Sequence, residues 1–183
     1  MVRGKEAKSA GVLAAAVMYA LWLLPITAEE TGIYSGAEWW HSLTWQWFHG
    51  SIWHLSVNAW ALLTIVFMWN AGIGKLLTAY ATSVVYGLAC ATDTPIVGMS
   101  GVIYALLGLY ALSPRGWQKR LRYQLYVAAW IVVPWAVGMV IPKDESCGTA
   151  AFGAVAVEAH VACYVMGIFV AIINYPWFKV KKD

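Results

Sequence analysis

Gly98-Met99-Ser100-Gly101 opens an apolar run that reaches Leu112. A serine between two glycines, at the head of a stretch with the composition of a membrane span, poses a physical problem. Hydrolysis needs water and a bilayer excludes it. The rest of the chain decides between a nucleophile and a small-residue packing site.

Of the 183 residues, 61% are hydrophobic and 11% charged, and twelve are Trp; mean hydropathy is +0.64. Soluble domains average about a quarter charged residues. The chain therefore reads as an integral membrane protein of one domain, 1–183, with basic tails at 1–9 and 176–183. Runs near the ~20-residue spanning length fall at Ala10–Thr27, Ser51–Ala71, Leu76–Ala91, Met99–Ser113, Tyr123–Ile141 and Ala151–Tyr175. Glycine, proline and charge mark the breaks, as in Gly72-Ile73-Gly74-Lys75 and Ser113-Pro114-Arg115-Gly116. The expected fold is an all-α bundle of six transmembrane helices with both termini on one side.

Eleven of the twelve basic residues fall on that side, Lys143 being the exception. The positive-inside rule makes it cytoplasmic. Glu29, Glu30, Glu38, Asp93, Asp144 and Glu145 mark the opposite, outer face. Basic residues, an apolar core and Ile26-Thr27-Ala28 also resemble a cleavable signal peptide. The apolar run is long for a signal core, so it reads as the first span.

Three cysteines make no disulfide framework. Cys90 and Cys147 fall near the outer face, where a bridge would need an oxidising compartment; they read as unpaired small residues, and Cys163 as packing. There is no metal-ligand spacing, no phosphate loop and no basic aromatic surface for nucleic acid. No cofactor is expected.

Polar groups inside spans are costly and rare, which makes each a functional candidate. At ~1.5 Å rise per residue from the cytoplasmic helix ends, Ser100 and Asn58 lie about 20 Å up, His160 about 22 Å and His54 about 26 Å. Within a ~30 Å hydrocarbon core that is one layer near the outer surface. His54 and Asn58 share a helix face at i, i+4, as do Ser100 and Tyr104. Gly101, Ala105 and Gly108 leave one side of span 4 bare. Ala159, Cys163 and Gly167 do the same for span 6, at the spacing that lets helices approach. Gly101 is expected to make room for span 6 and so to deliver His160.

Such a set supports acyl transfer. Neutral His160 would take the proton of Ser100. The Asn58 amide, the His54 N–H and the Ser100 backbone N–H would hold the oxyanion. No carboxylate is placed to orient His160, and the Tyr104 ring would hold it by packing. A channel or transporter would need polar residues along a continuous path, whereas these stop at one depth.

The sequence resembles the rhomboid family of intramembrane serine proteases. His49-Gly50-Ser51-Ile52-Trp53-His54-Leu55-Ser56-Val57-Asn58 is similar to its HxxxxHxxxN motif. Gly98-Met99-Ser100-Gly101-Val102-Ile103-Tyr104-Ala105 is similar to GxSGxxYA, and Ala159-His160-Val161-Ala162 with Gly167 to the AHxxG segment. The resemblance implies a Ser100–His160 dyad, an oxyanion hole of His54, Asn58 and Ser100, and supporting roles for Tyr104, Gly98, Gly101 and His49. It also implies cleavage of transmembrane protein substrates near their outer end, with water entering past span 5 and the loop 142–148. The expected setting is the bilayer of a prokaryotic cytoplasmic membrane. A silent relative that binds and escorts membrane proteins is the alternative.

Departures from the family pattern are local. The first loop, Ala28 to Phe48, is short and carries Trp40-His41 where the family often has Trp-Arg. Its Trp39, Trp40, Trp45 and Trp47, with Trp53, read as an interfacial belt. Cys163 replaces a usual glycine. Glu158, at i−2 from His160, points nearly opposite it on a helix and reads as a structural residue.

Overall fold

The computed structural model describes residues 2–69, 71–89, 92–113, 117–140 and 154–174. Cys90, Cys147 and the loop 142–148 lie outside them. Among the described residues the structure is all-helical, apart from a single antiparallel bridge between Ile33 and Ile96. Six longer helices occupy the places of the six apolar runs: α1 (Val2–Trp22), α4 (Ile52–Trp69), α5 (Ile73–Ala89), α6 (Ser100–Tyr110), α7 (Trp117–Val140) and α8 (Ala154–Ile173). Two one-turn helices, α2 (Ala28–Thr31) and α3 (His41–Thr44), fold the first loop.

Of the described helices, Ile52–Trp69 alone is long and apolar enough to cross a bilayer by length and composition; Lys8–Trp22, Ser100–Tyr110 and Val157–Ile173 are shorter apolar segments. The 11-residue α6 rises only about 16 Å at 1.5 Å per residue. Every residue in it is buried. It is the post around which the other helices stand, with Ser100 at its N-terminal end.

Small residues decide how closely the post is approached. The Gly108 Cα sits where a Cβ would run into the Tyr164 carbonyl, and would come within 2.9 Å of the Gly167 Cα. At Gly167 a Cβ would meet the Ala105 carbonyl and come within 3.1 Å of Gly108. Backbone thus meets backbone between α6 and α8, the close packing that small residues permit in apolar surroundings. Tyr19 ties α1 to α4 by donating to Ser56 Oγ at 3.0 Å. On the other side, Trp130 of α7 stacks on Trp60 of α4 at 5.5 Å.

The first loop is ordered by its own chemistry. Ile33 and Ile96 exchange two backbone hydrogen bonds of 3.0 Å, which fastens the loop to the segment leading into Ser100. His41, buried, donates from Nδ1 to the Gly32 carbonyl at 2.7 Å and packs on Trp40 at 4.0 Å. Of the tryptophans expected in an interfacial belt, Trp47 is half-buried against the core, and Trp39, Trp40 and Trp53 are exposed. Trp45 is not: its exposure is 0%. It belongs to the core instead, because a notch of small residues on α5 and α6 receives it.

Candidate active site

Ser100 is the first residue of α6 and is buried. The N–H groups of a first helical turn have no partner within the helix, so donors gather where the serine oxygen emerges. The turn leading in is set by Gly98, whose φ of +127° favours glycine. A side chain there would also collide with the His54 ring, its Cβ lying 2.6 Å from Cε1 and 2.8 Å from Nε2. The Asn58 amide nitrogen would be 3.5 Å away. The missing side chain therefore lets His54 and Asn58 of α4 reach the backbone just ahead of Ser100.

Both residues keep a nitrogen in reserve. Asn58 Nδ2 and His54 Nδ1 are buried without a hydrogen-bond partner. Unsatisfied buried polar nitrogens are expensive, and a preorganised oxyanion hole is one setting in which the cost is tolerated. Ser51 Oγ accepts from the His54 backbone N–H at 3.1 Å, fixing the start of α4.

His49 braces the same turn from behind. Its Nε2 accepts a 3.3 Å hydrogen bond from the Met99 backbone N–H, and its ring meets that of His54 edge-on at 5.0 Å. Burial, reinforced by the His54 imidazole and opposed by a Trp47 backbone group, pushes the His49 ring down to about 3. It is neutral at pH 7 and able to accept.

One turn along α6 from Ser100, Tyr104 stacks on His160 of α8 with ring centroids 4.2 Å apart and planes 21° apart. Its hydroxyl donates to the Trp130 carbonyl of α7 at 2.6 Å. Tyr104 thus places an imidazole beside the nucleophile's helix and fastens both to a third helix. Among the described residues no hydrogen bond joins Ser100 Oγ to His160; such bonds are often long until substrate is bound. Glu158 is exposed, and no bond joins it to His160.

A family model of the rhomboid domain matches residues 36–177, more than half of the chain. The chain belongs to the rhomboid family. As a rhomboid it is an integral membrane protein of a family of intramembrane proteases that act on transmembrane substrates, with inactive members among them. No curated protein and no solved structure matches it.

Two sequence readings within this rhomboid need correction. At Gly101 the nearest neighbours come from the first loop and α5 rather than from α8. A Cβ there would come within 2.7 Å of Ser83 Oγ on α5 and 2.8 Å of the Trp45 ring, so the glycine makes room for Trp45. Gly108, two turns further on, does the work for α8. The bare stripe on α6 is real, but a side chain from the first loop fills its upper part, which no pattern on α6 itself could reveal.

Trp45 is the second correction and the residue that sequence reasoning missed. Its carbonyl accepts from Gly98 N–H at 2.8 Å while its indole fills the notch at Gly101, so it grips the nucleophile turn from both sides. Gln46 beside it is fully buried and donates to the Ser42 carbonyl at 3.0 Å and to Ser83 Oγ at 3.3 Å. The available signal was Trp45-Gln46 itself, a polar amide amid tryptophans, five residues upstream of Gly50.

Proposed function

We propose that this rhomboid is an active serine endopeptidase that hydrolyses peptide bonds of transmembrane proteins near the outer membrane face. It forms one domain over 1–183, with six spans and both termini cytoplasmic, in a prokaryotic cytoplasmic membrane. Ser100 Oγ attacks the scissile carbonyl carbon and its proton passes to His160. The oxyanion is held by the Asn58 amide, the His54 ring N–H and the Ser100 backbone N–H. The C–N bond then breaks, His160 returns the proton to the leaving amine, and an acyl-serine remains. Water attacks that ester with His160 again as base, and Ser100 is regenerated.

The observation that carries this reading is the space left by Gly98, where the unpartnered Asn58 amide nitrogen and the His54 ring edge at Nε2 meet the turn before Ser100. A packing serine would call for no such reserve. The Tyr104–His160 stack supports a dyad in which an aromatic ring replaces the orienting carboxylate. The escort alternative would leave Ser100 and His160 unused.

Detergent-purified protein incubated with a generic transmembrane substrate should cleave it, and Ser100→Ala should not. A parent that binds transmembrane segments without cutting them would favour the escort. The Glu158→Gln variant should cleave like the parent; a loss of activity would make Glu158 a third catalytic member.

A further inference from the structure

At the same end of the bundle as Ser100, a cavity of about 440 Å³ opens beside the last turn of α1. That is within the range of small-ligand sites, about 300–1,000 Å³. Met18, Leu21, Leu24, Ile26 and Phe48 make its walls apolar, and Thr27 and His49 line it with polar groups. The chain around its mouth is apolar and exposed: Leu23 is 82% exposed and Leu24 and Ile26 are also open. In an integral membrane protein such an exposed apolar surface is suited to acyl chains.

His49 gives the cavity a chemical preference. The ring is more than nine-tenths buried and its Nε2 accepts from Met99 N–H. In the neutral ring that acceptor role leaves the proton on Nδ1. Nδ1 has no hydrogen-bond partner, the nearby Trp47 backbone lying outside bonding geometry. The ring therefore has a donor on one side and the neighbour of Ser100 on the other. A largely aliphatic wall bordered by a buried N–H donor suits an alkyl chain ending in a carbonyl.

We propose that this cavity holds an acyl chain of one membrane phospholipid, its ester carbonyl accepting from His49 Nδ1, and that occupancy steadies the turn carrying Ser100. The binding half stands by itself. The coupling half rests on the protease reading, with His49 as a positioning residue that never touches substrate.

The test uses the full chain in phosphatidylcholine nanodiscs doped with phosphatidylcholine bearing a diazirine in its acyl chain. After illumination, adducts should concentrate on residues 18–26 and Phe48. They should fall about fivefold in Leu21→Trp, the scale set by losing one modest favourable interaction. Adducts on Leu88 and Phe169, exposed elsewhere on the surface, should be unchanged. Ile26→Trp, at an exposed position, gives the same reading if Leu21→Trp melts early. Adducts spread evenly over the surface, adducts indifferent to both fillers, or a second copy of the chain crosslinked at this place would each overturn the site.

For the coupling, fluorophosphonate labelling of Ser100 in lipid-depleted micelles should quicken about fivefold on adding phosphatidylcholine, and should not quicken in the filled variants. Equal quickening in parent and variants overturns the coupling. If Ser100 is never labelled, the protease reading and the coupling fall together, while the adduct map still judges the site.

Discussion

Gly98 concentrates the demands of the site in one residue. It holds a left-handed φ and lies against His54 and Asn58. Gly98→Ala should therefore misplace both donors and lower cleavage by about 100-fold or more, the loss typical of one oxyanion donor. Cleavage within a few-fold of the parent would show that the hole lies elsewhere. Trp45 makes a different prediction. Trp45→Ala opens a cavity in the core and should cost about 3–5 kcal/mol, read as a large drop in thermal midpoint. Trp53→Ala, at a side chain 70% exposed, should stay within about 0.5 kcal/mol. The motif residues were legible because polar groups are conspicuous in an apolar sequence. Trp45 was not, since an indole serves equally well at an interface or in a core, and its notch is built by Ser83, Gly87 and Gly101 on other helices.

His49 also carries a pH signature. Its folded pKa, about 3, lies below the ordinary 6.5, so protons favour the unfolded chain. This contribution to stability is full above about pH 6.5 and drains as pH falls toward 3. The thermal midpoint of the parent should drop across that window more steeply than that of His49→Gln. Equal slopes would mean that the ring is not held neutral by burial.

At the scale of helices, α6 and α8 are joined where glycine faces glycine. Gly108→Leu drives a side chain into the Tyr164 carbonyl, and overpacking of this kind costs about 1–3 kcal/mol. It should also move His160 away from Tyr104. Cleavage should fall further than stability alone explains, when compared at temperatures well below each midpoint. A variant as active as the parent would separate the glycine contact from the dyad. The glycine spacing on both helices foretold this contact. The fold of the first loop was less legible: the Ile33–Ile96 bridge that fastens it depends on backbone pairing across 63 positions of chain. Side-chain periodicity carries no such information.

For the whole molecule, charge and hydropathy placed the bundle in a membrane before any geometry was known, and the rhomboid match agrees with that. The proposed six-span arrangement makes an exposed prediction. Single cysteines introduced at Glu38 and at Lys119, in a background lacking the native cysteines, should be modified from opposite sides of sealed vesicles, Glu38 from outside. Modification of both from one side would break the topology and, with it, the common depth of the four site residues.

The central claim is that Ser100 is a nucleophile. It is tested most directly by exposing the purified protein to a fluorophosphonate and locating the adduct by peptide mass spectrometry. The adduct should lie on Ser100, form at least about 100-fold more slowly in Asn58→Ala and His160→Ala, and vanish in Ser100→Ala. An adduct on another residue, or labelling that persists in Ser100→Ala, would contradict it.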